Sequence, residues 1–166
     1  MEKQHIVIRK AEASDLDAVA ALEEICFPPA EAASRESFRA RLAVYPDYFL
    51  LLFLNGELVS FVDGFVTNER DLTDELYADA SMHDPNGAWQ MIFGVNTHPA
   101  YRRNGYAAKL IGEMIRNAES EKRKGVVLTC KSNLVSYYAL FGFLDEGISE
   151  ESVHGGAVWH QMRLTF

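Results

Sequence analysis

The chain predicts a mixed α/β or α+β domain, a sheet covered by helices, on three observations. Apolar runs of strand length recur between segments of helical period, and an Asn-Gly dipeptide joins two of those runs. No Pro/Ser/Gly-rich linker, low-complexity segment or repeat interrupts the 166 residues, 48% of which are hydrophobic. A chain of that length fills one domain with a real core and not two, so residues 1–166 are expected to form a single domain.

The elements follow in order. "HIVIR" alternates as an opening strand. "SDLDAVAALEEICF" opens on a Ser/Asp cap signal and carries Leu16, Val19, Ala20, Leu22 and Ile25 at helical spacing, which predicts a first helix ending before Pro28. "SRESFRARLAVY", capped by Ser34 and striped by Phe38, Leu42 and Tyr45, predicts a second. "CFPPAEAA" between them is a poor helix and an unusual loop. "YFLLLFL" and "ELVSFVDGFV" flank Asn55-Gly56, the dipeptide that best accepts the positive φ values of a type I′ turn, so they form a hairpin. Residues 68–87, charged and broken by Pro85, read as a surface excursion with one helical turn near Leu76. "WQMIFGV" is a strand. From 105 to about 122, Ala107, Leu110, Ile111, Met114, Ile115 and Ala118 share a face opposite Lys109, Glu113, Arg116 and Glu121, a long amphipathic helix. "GVVLTCK" is a buried strand, "LVSYYALF" a short helix stopped by Gly142, and "FLDEGI" and "AVWHQMRL" the last strands. The order is strand, two helices, three strands, helix, strand, helix, two strands.

Composition narrows the function. A net charge of −8 argues against non-specific nucleic-acid binding, which is mostly phosphate neutralisation by Lys and Arg, and suits a cationic substrate; it also suits simple solubility. "MEKQHIVIRK" has no apolar signal core, and "YFLLLFL" is far shorter than the roughly 20 residues of a membrane span, so a soluble, cytoplasmic protein is expected. Cys26 and Cys130 form neither a disulfide framework nor metal-ligand spacing, and no His/Cys/Asp/Glu cluster does, so metal-free chemistry is expected.

"HPAYRRNGYAAKLIGEMIRNAES" places Arg102, Arg103, Asn104 and Gly105 directly before the long helix. A helix N-terminus leaves N–H groups unpaired at the positive end of the dipole, arginines add forked charge, and glycine admits close backbone approach: a pyrophosphate cradle. The same residues also fit a solvated loop whose arginines face water. G-x-G-x-x-G is absent, and the nearest approach to a P-loop, "GFLDEGIS", has Ile148 where the lysine belongs, so neither nucleotide motif applies.

"HPAYRRNGYAAKLI" resembles the central signature of the GNAT N-acetyltransferase superfamily, R/Q-x-x-G-x-G/A, in Arg102, Arg103, Asn104, Gly105, Tyr106 and Ala107. "NLVSYYALFGF" resembles its later motif in Asn133, Tyr138, Gly142 and Phe143. "LEEICFPPAEAASRESFRARLAVYPDYF" followed by "LVSFVDGFV" is similar to the branch containing the arylalkylamine N-acetyltransferases. The resemblance covers essentially the whole chain. It implies a twisted mixed sheet of about six to seven strands flanked by about four helices, and acetyl transfer from acetyl-CoA.

It also implies roles. The pantetheine arm of acetyl-CoA would lie along "WQMIFGVNT" and pair with main chain from Val95 through Asn96 to Thr97. The pyrophosphate would sit on the N–H groups of residues 103–108, Ala108 included, with Arg102 beside it and Asn133 contributing from the later motif. Tyr138 would donate the proton to the departing thiolate, although a tyrosine at that spacing is also ordinary packing; Tyr137 would face another way. The vertebrate arylalkylamine enzymes carry an H-x-H pair where this chain has Met91 and Phe93, so the familiar base is missing. His83, Asp84, His154 and His160 are available without any spacing that singles one out, and a lone histidine is more often surface or packing. His98 reads as structural. Phe27 and Pro28 either line the acceptor site as part of a lid or cap the core and end a helix. Glu23, Glu24, Glu31 and Asp63 could draw in an ammonium group. The expected reaction is acetylation of a small primary amine, of arylalkylamine or polyamine type, by direct attack in a ternary complex. A peptide N-terminal or lysine acetyltransferase and a non-catalytic acyl-CoA sensor are the alternatives. Homodimers are common in the superfamily, though no exposed stripe in the sequence marks such an interface.

Overall fold

The structure, a computed structural model, describes residues 4–166. In chain order its elements are β1 (Ile6–Lys10), α1 (Leu16–Cys26), α2 (Arg35–Val44), β2 (Phe49–Leu54), β3 (Glu57–Asp63), β4 (Val66–Thr67), α3 (Asp74–Ala78), β5 (Trp89–Ile92), β6 (Gly94–Thr97), α4 (Tyr106–Ser120), β7 (Gly125–Cys130), α5 (Val135–Ala139), β8 (Leu144–Ile148) and β9 (His160–Thr165). They form two compact units with one sheet each. The first takes the chain up to Asp63 and returns for Gly94–Glu113; the second takes Gly64–Phe93 and Met114–Phe166. The predicted mixed α/β class holds.

The first unit's sheet runs in the order β1-β2-β3-β6, antiparallel throughout. Its hairpin turns at Asn55 (φ 50) and Gly56 (φ 85), the two positive φ values of the predicted I′ turn. Helix α2 starts as expected, with Ser34 Oγ accepting from the Ser37 N–H. Helix α1 does not. Ser14 and Asp15 lie inside a short 3-10 turn, where Asp15 accepts from the Glu12 N–H at 2.8 Å and from Arg9 at 2.7 Å, so the expected cap belongs to the turn before the helix. The helices cover a core in which Phe38, Phe49 and Phe61 meet with centroids 5.8–6.4 Å apart.

The second unit's sheet runs β4-β5-β7-β9-β8, with β5 and β7 parallel and the other pairs antiparallel. "ELVSFVDGFV" and "WQMIFGV", each expected as one strand, are interrupted at Gly64-Phe65 and at Phe93. The interruption is built from buried groups. A Cβ at Gly64 would fall 1.9 Å from the Met91 carbonyl oxygen, so only glycine permits that approach. The Gln90 carboxamide donates to the carbonyls of Gly64 and Met91, both at 2.8 Å. These breaks and the short α3 in the charged excursion raise the count among the described residues to nine strands and five helices. Strand β9 begins only at His160; Trp159 before it donates its indole N–H to the His154 carbonyl at 3.0 Å, and its own carbonyl accepts from the Ser149 N–H at 2.7 Å.

On helix α4 the buried positions are Tyr106, Leu110, Ile111, Met114 and Ala118, so Tyr106 heads the apolar face while Ala107 and Ile115 sit at its margin. Among the described residues no helix is long and apolar enough to cross a membrane.

Candidate active site

In the first unit, β6 is an edge strand: β3 pairs with one side of it, and among the described residues no strand of that sheet lies on the other. The His98 N–H donates to the Val59 carbonyl at 2.8 Å, which fixes the antiparallel phase. Gly94 and Asn96 therefore turn their main-chain groups toward β3, and Val95 and Thr97 turn theirs to the open edge. Of the three residues expected to pair with an extended ligand, Val95 and Thr97 have that geometry. Asn96 does not; its side chain is buried on the helix-covered face of the sheet.

Strand β6 leads into a shaped turn. His98 Nδ1 accepts from the Ala100 N–H at 3.1 Å and the ring lies edge-on to Tyr101, the structural part read for it from sequence. Arg103 (φ 68) and Gly105 (φ 77) are left-handed, and the Asn104 carboxamide holds the turn by donating to the Tyr101 carbonyl at 2.8 Å. Arg102 Nε donates to the Thr97 carbonyl at 3.4 Å, and Arg102 and Arg103 are both exposed. The Lys109 N–H reaches the Gly105 carbonyl at 3.1 Å, so the N–H groups of Tyr106, Ala107 and Ala108 precede the first helical partner. Two guanidinium groups and three such N–H groups, at the positive end of a 15-residue helix, make an anion cradle.

Behind β6 lies a buried polar cluster that four separate elements assemble: Glu23 from α1, Arg41 from α2, Asp63 from β3 and Asn96 from β6, none more than 3% exposed. Arg41 and Asp63 form an ion pair at 3.0 Å. Burial pushes the Asp63 carboxyl upward, and the guanidinium opposes it. Glu23 Oε2 accepts from the Ala33 N–H at 2.8 Å, which ties the end of the CFPP loop to the helix. Burial, aided by the Asp63 charge, pushes the Glu23 carboxyl up to about 7. Among the described residues Glu23 Oε1, Asp63 Oδ1 and both polar atoms of the Asn96 carboxamide are buried without a hydrogen bond of good geometry, though Asn96 lies against the Glu23 carboxyl and Tyr45 against that of Asp63. These positions correct the expectation of an acidic lure: Glu24 is exposed, whereas Glu23, Glu31 and Asp63 are interior. Sequence reasoning missed Arg41, Gly94 and the Asn96 side chain. The available signals were an arginine on the apolar stripe of α2 and an aspartate inside an apolar strand.

A raised Glu23 has a stability consequence. Its folded value, about 7, lies above its ordinary 4.5, so its favourable contribution is complete below about pH 4.5 and is lost as pH rises through 7. Glu23→Gln should therefore stabilise the protein at pH 8, by roughly 3 kcal/mol at 1.36 kcal/mol per pH unit, and change little at pH 4. Urea denaturation at the two pH values reads this directly.

Phe27 ends α1 with its N–H on the Glu23 carbonyl at 3.0 Å and is half-buried, while Pro28 is exposed. Cys26 Sγ donates to the Thr97 carbonyl at 3.3 Å, and both cysteines are free thiols.

In the second unit, Tyr138 is 6% exposed, with its ring edge-on to Tyr137 and Phe143. Burial, with the Cys130 and Tyr137 groups adding to it, raises its phenol well above the ordinary range, so it stays a protonated donor. Tyr137 is half-buried and packs on Phe141, one step round the helix. Asn133 is exposed in the 3-10 turn before α5. Met91 is core, and Phe93 joins an edge-on row with Phe65 and Tyr77. The histidines are engaged. His83 Nδ1 accepts from the Val66 N–H at 3.1 Å and burial lowers its pKa; His154 is stacked between Tyr77 and Trp159 and meets Asp74 at 3.3 Å; His160 meets Asp145 at 3.1 Å. Asp84 stands beside Asn68 at 3.2 Å.

The sequence profile of the acetyltransferase (GNAT) family matches residues 16–143, and the chain belongs to that family. Serotonin N-acetyltransferase of Mesocricetus auratus is 28% identical over 109 residues, which is 65% of this chain and 51% of that protein. The chain spans about half or less of the length of the curated relatives it matches. Many solved structures share the fold, the following two among them. The loading GNATL domain of CurA from Lyngbya majuscula has a TM-score of 0.83 at 13% identity, over 97% of this chain and 98% of that one. The GphF GNAT-like decarboxylase in complex with isobutyryl-CoA has 0.78 at 22%, over 96% and 98%.

Proposed function

We propose that the protein is an acetyl-CoA-dependent N-acetyltransferase for a small primary amine, with residues 1–166 working as one catalytic domain in the cytoplasm. The observation that carries this is an open-edged strand running straight into an arginine-glycine turn and a helix N-terminus. The strand edge suits the amides of a pantetheine arm, and the turn suits a pyrophosphate. Membership of the acetyltransferase family and the likeness to serotonin N-acetyltransferase support the same reading.

Val95 and Thr97 would hold the arm; Arg102, Arg103, Asn104, Gly105, Tyr106, Ala107 and Ala108 would hold the phosphates, with Asn133 near the cofactor. Asn96 serves through its side chain instead. Acetyl-CoA supplies the acetyl group as a thioester. The amine must attack as the free base, so its proton needs an acceptor, and the sulfur needs a donor. Glu23 is the acceptor: its Oε1 lies 3.8 Å from where a Cβ at Gly94, the first residue of β6, would stand, and burial raises its carboxyl to about 7, which suits that work. Tyr138 is the donor. Phe27 and Pro28 flank the amine, in a loop that Glu23 itself anchors through Ala33.

Release of free CoA thiol with a panel of arylalkylamines, polyamines and a lysine peptide tests the reading. Thiol release with a small amine is expected, with kcat/KM rising through about pH 7. Glu23→Gln should remove that limb and lower kcat by roughly 10²-fold or more. Release with the peptide alone would move the assignment to protein acetylation. Tight acetyl-CoA binding with no release would leave a sensor.

A further inference from the structure

We propose that Arg102 selects the acyl donor by serving two alternative partners, the Thr97 carbonyl and a phosphate. A thioester that carries a pyrophosphate frees that carbonyl for its own pantetheine arm, and a thioester without phosphates does not. The inference rests on the acetyl-CoA reading above and adds the residue that restricts which thioesters serve as donors.

The Thr97 carbonyl is where the two halves of such a donor meet. Thr97 ends β6, and its main chain turns to the open edge just before the arginine-glycine turn. A carbonyl oxygen has two lone pairs, and two donors already claim this one. The Cys26 thiol, on the last residue of α1, donates at 3.3 Å, and Arg102 Nε donates at 3.4 Å. The Thr97 side chain is held as well, its hydroxyl 3.1 Å from that of Ser60 on β3. An amide N–H arriving at this carbonyl must therefore displace a donor.

Arg102 is the donor that can leave. The Cys26 thiol is half-buried at the end of a helix; burial pushes its pKa up, against the opposing pull of Arg102 beside it, so it stays protonated and keeps donating. Arg102 is exposed, and its bond at 3.4 Å is long for an N–H···O contact. A phosphate offers the guanidinium an opposite charge and a forked pairing that one carbonyl cannot supply. Arg103 and the N–H groups of Tyr106, Ala107 and Ala108 stand at the same turn, so a phosphate is drawn to where Arg102 can reach it.

The exchange couples the two ends of one ligand. A pyrophosphate at the turn takes the guanidinium and leaves Thr97 a lone pair for the arm. A bare pantetheine thioester must break the Arg102 contact and gives the guanidinium nothing in return. The arm and the phosphates of acetyl-CoA therefore bind cooperatively, and the site rejects short thioesters that share its acetyl group and its arm.

Thiol release from acetylpantetheine and from acetyl-CoA, with the same amine, tests the selection. In Arg102→Met, kcat/KM for acetylpantetheine should rise roughly fivefold, the worth of one hydrogen bond no longer broken, while that for acetyl-CoA falls. Arg103→Met removes the same charge one residue along and should lower acetyl-CoA turnover without any gain for acetylpantetheine. Calorimetry on the parent reads the coupling with no substitution. Pantetheine should bind roughly fivefold tighter when ADP, which supplies the pyrophosphate, is saturating, and Arg102→Met should abolish that dependence. Three results each overturn the proposal: no gain for acetylpantetheine in Arg102→Met, an equal gain in Arg103→Met, or pantetheine binding in the parent that is indifferent to ADP. A parent that shows the coupling by calorimetry and acetylates no amine defeats the acetyl-transfer reading instead and leaves the selection by Arg102 standing.

Discussion

Tyr138→Phe should lower kcat by about 10²–10⁴, or roughly 3–5 kcal/mol of barrier, while fold and acetyl-CoA affinity barely change. The substitution deletes one hydroxyl and keeps a ring that is 6% exposed and packed edge-on to Tyr137 and Phe143. Burial holds the phenol protonated well beyond neutral pH, so it is available as a donor at any pH where the amine is a free base. Tyr137→Phe is the control, because its ring shares the short helix but sits half-exposed against Phe141. Equal losses at the two positions would mean that the helix had been disturbed and would defeat the assignment. Loss at Tyr138 alone, measured by thiol release at saturating substrate, is the expected result.

The second large effect concerns the anion cradle. Arg102→Glu with Gly105→Glu should weaken acetyl-CoA binding at least about 100-fold by calorimetry. The double change replaces a guanidinium by a carboxylate and adds a second carboxylate at a helix N-terminus that favours anions. Among the described residues nothing lies within 4 Å of a Cβ at position 105, so the fold leaves room for a side chain to start there; the local cost is the left-handed φ of 77, about 1 kcal/mol. Repulsion of the ligand therefore dominates over unfolding, and circular dichroism should remain that of the parent. Unchanged affinity would remove the cradle from the account.

Local chemistry made much of this molecule legible. Asn55-Gly56 announced its hairpin because few dipeptides accept two positive φ values, and Ser34 announced α2 because its hydroxyl has one obvious N–H to satisfy. The arginine-glycine turn was legible for the same reason, since its geometry is contained in consecutive residues. What was hidden depends on distant partners. The breaks at Gly64 and Phe93 fall inside unbroken apolar runs, and their cause is the Gln90 carboxamide together with a backbone approach that only glycine permits. Asp15 has the composition of a helix cap, but Arg9 and the Glu12 N–H claim it. The Glu23 cluster draws on residues 23, 41, 63 and 96, so no window of sequence contains it. An arginine on the apolar face of α2 and an aspartate in "LVSFVDGFV" were its only local traces.

Transfer of acetyl to an amine is read on the acceptor itself. The protein is incubated with acetyl-CoA carrying an isotopic label in the acetyl group and with the amine panel, and the amines are then read by mass spectrometry. Labelled N-acetyl product is expected from a small primary amine, formed faster as pH rises through about 7 and nearly abolished in Tyr138→Phe and Glu23→Gln. Label that remains on CoA, or that appears as free acetate with every amine unmodified, would contradict it.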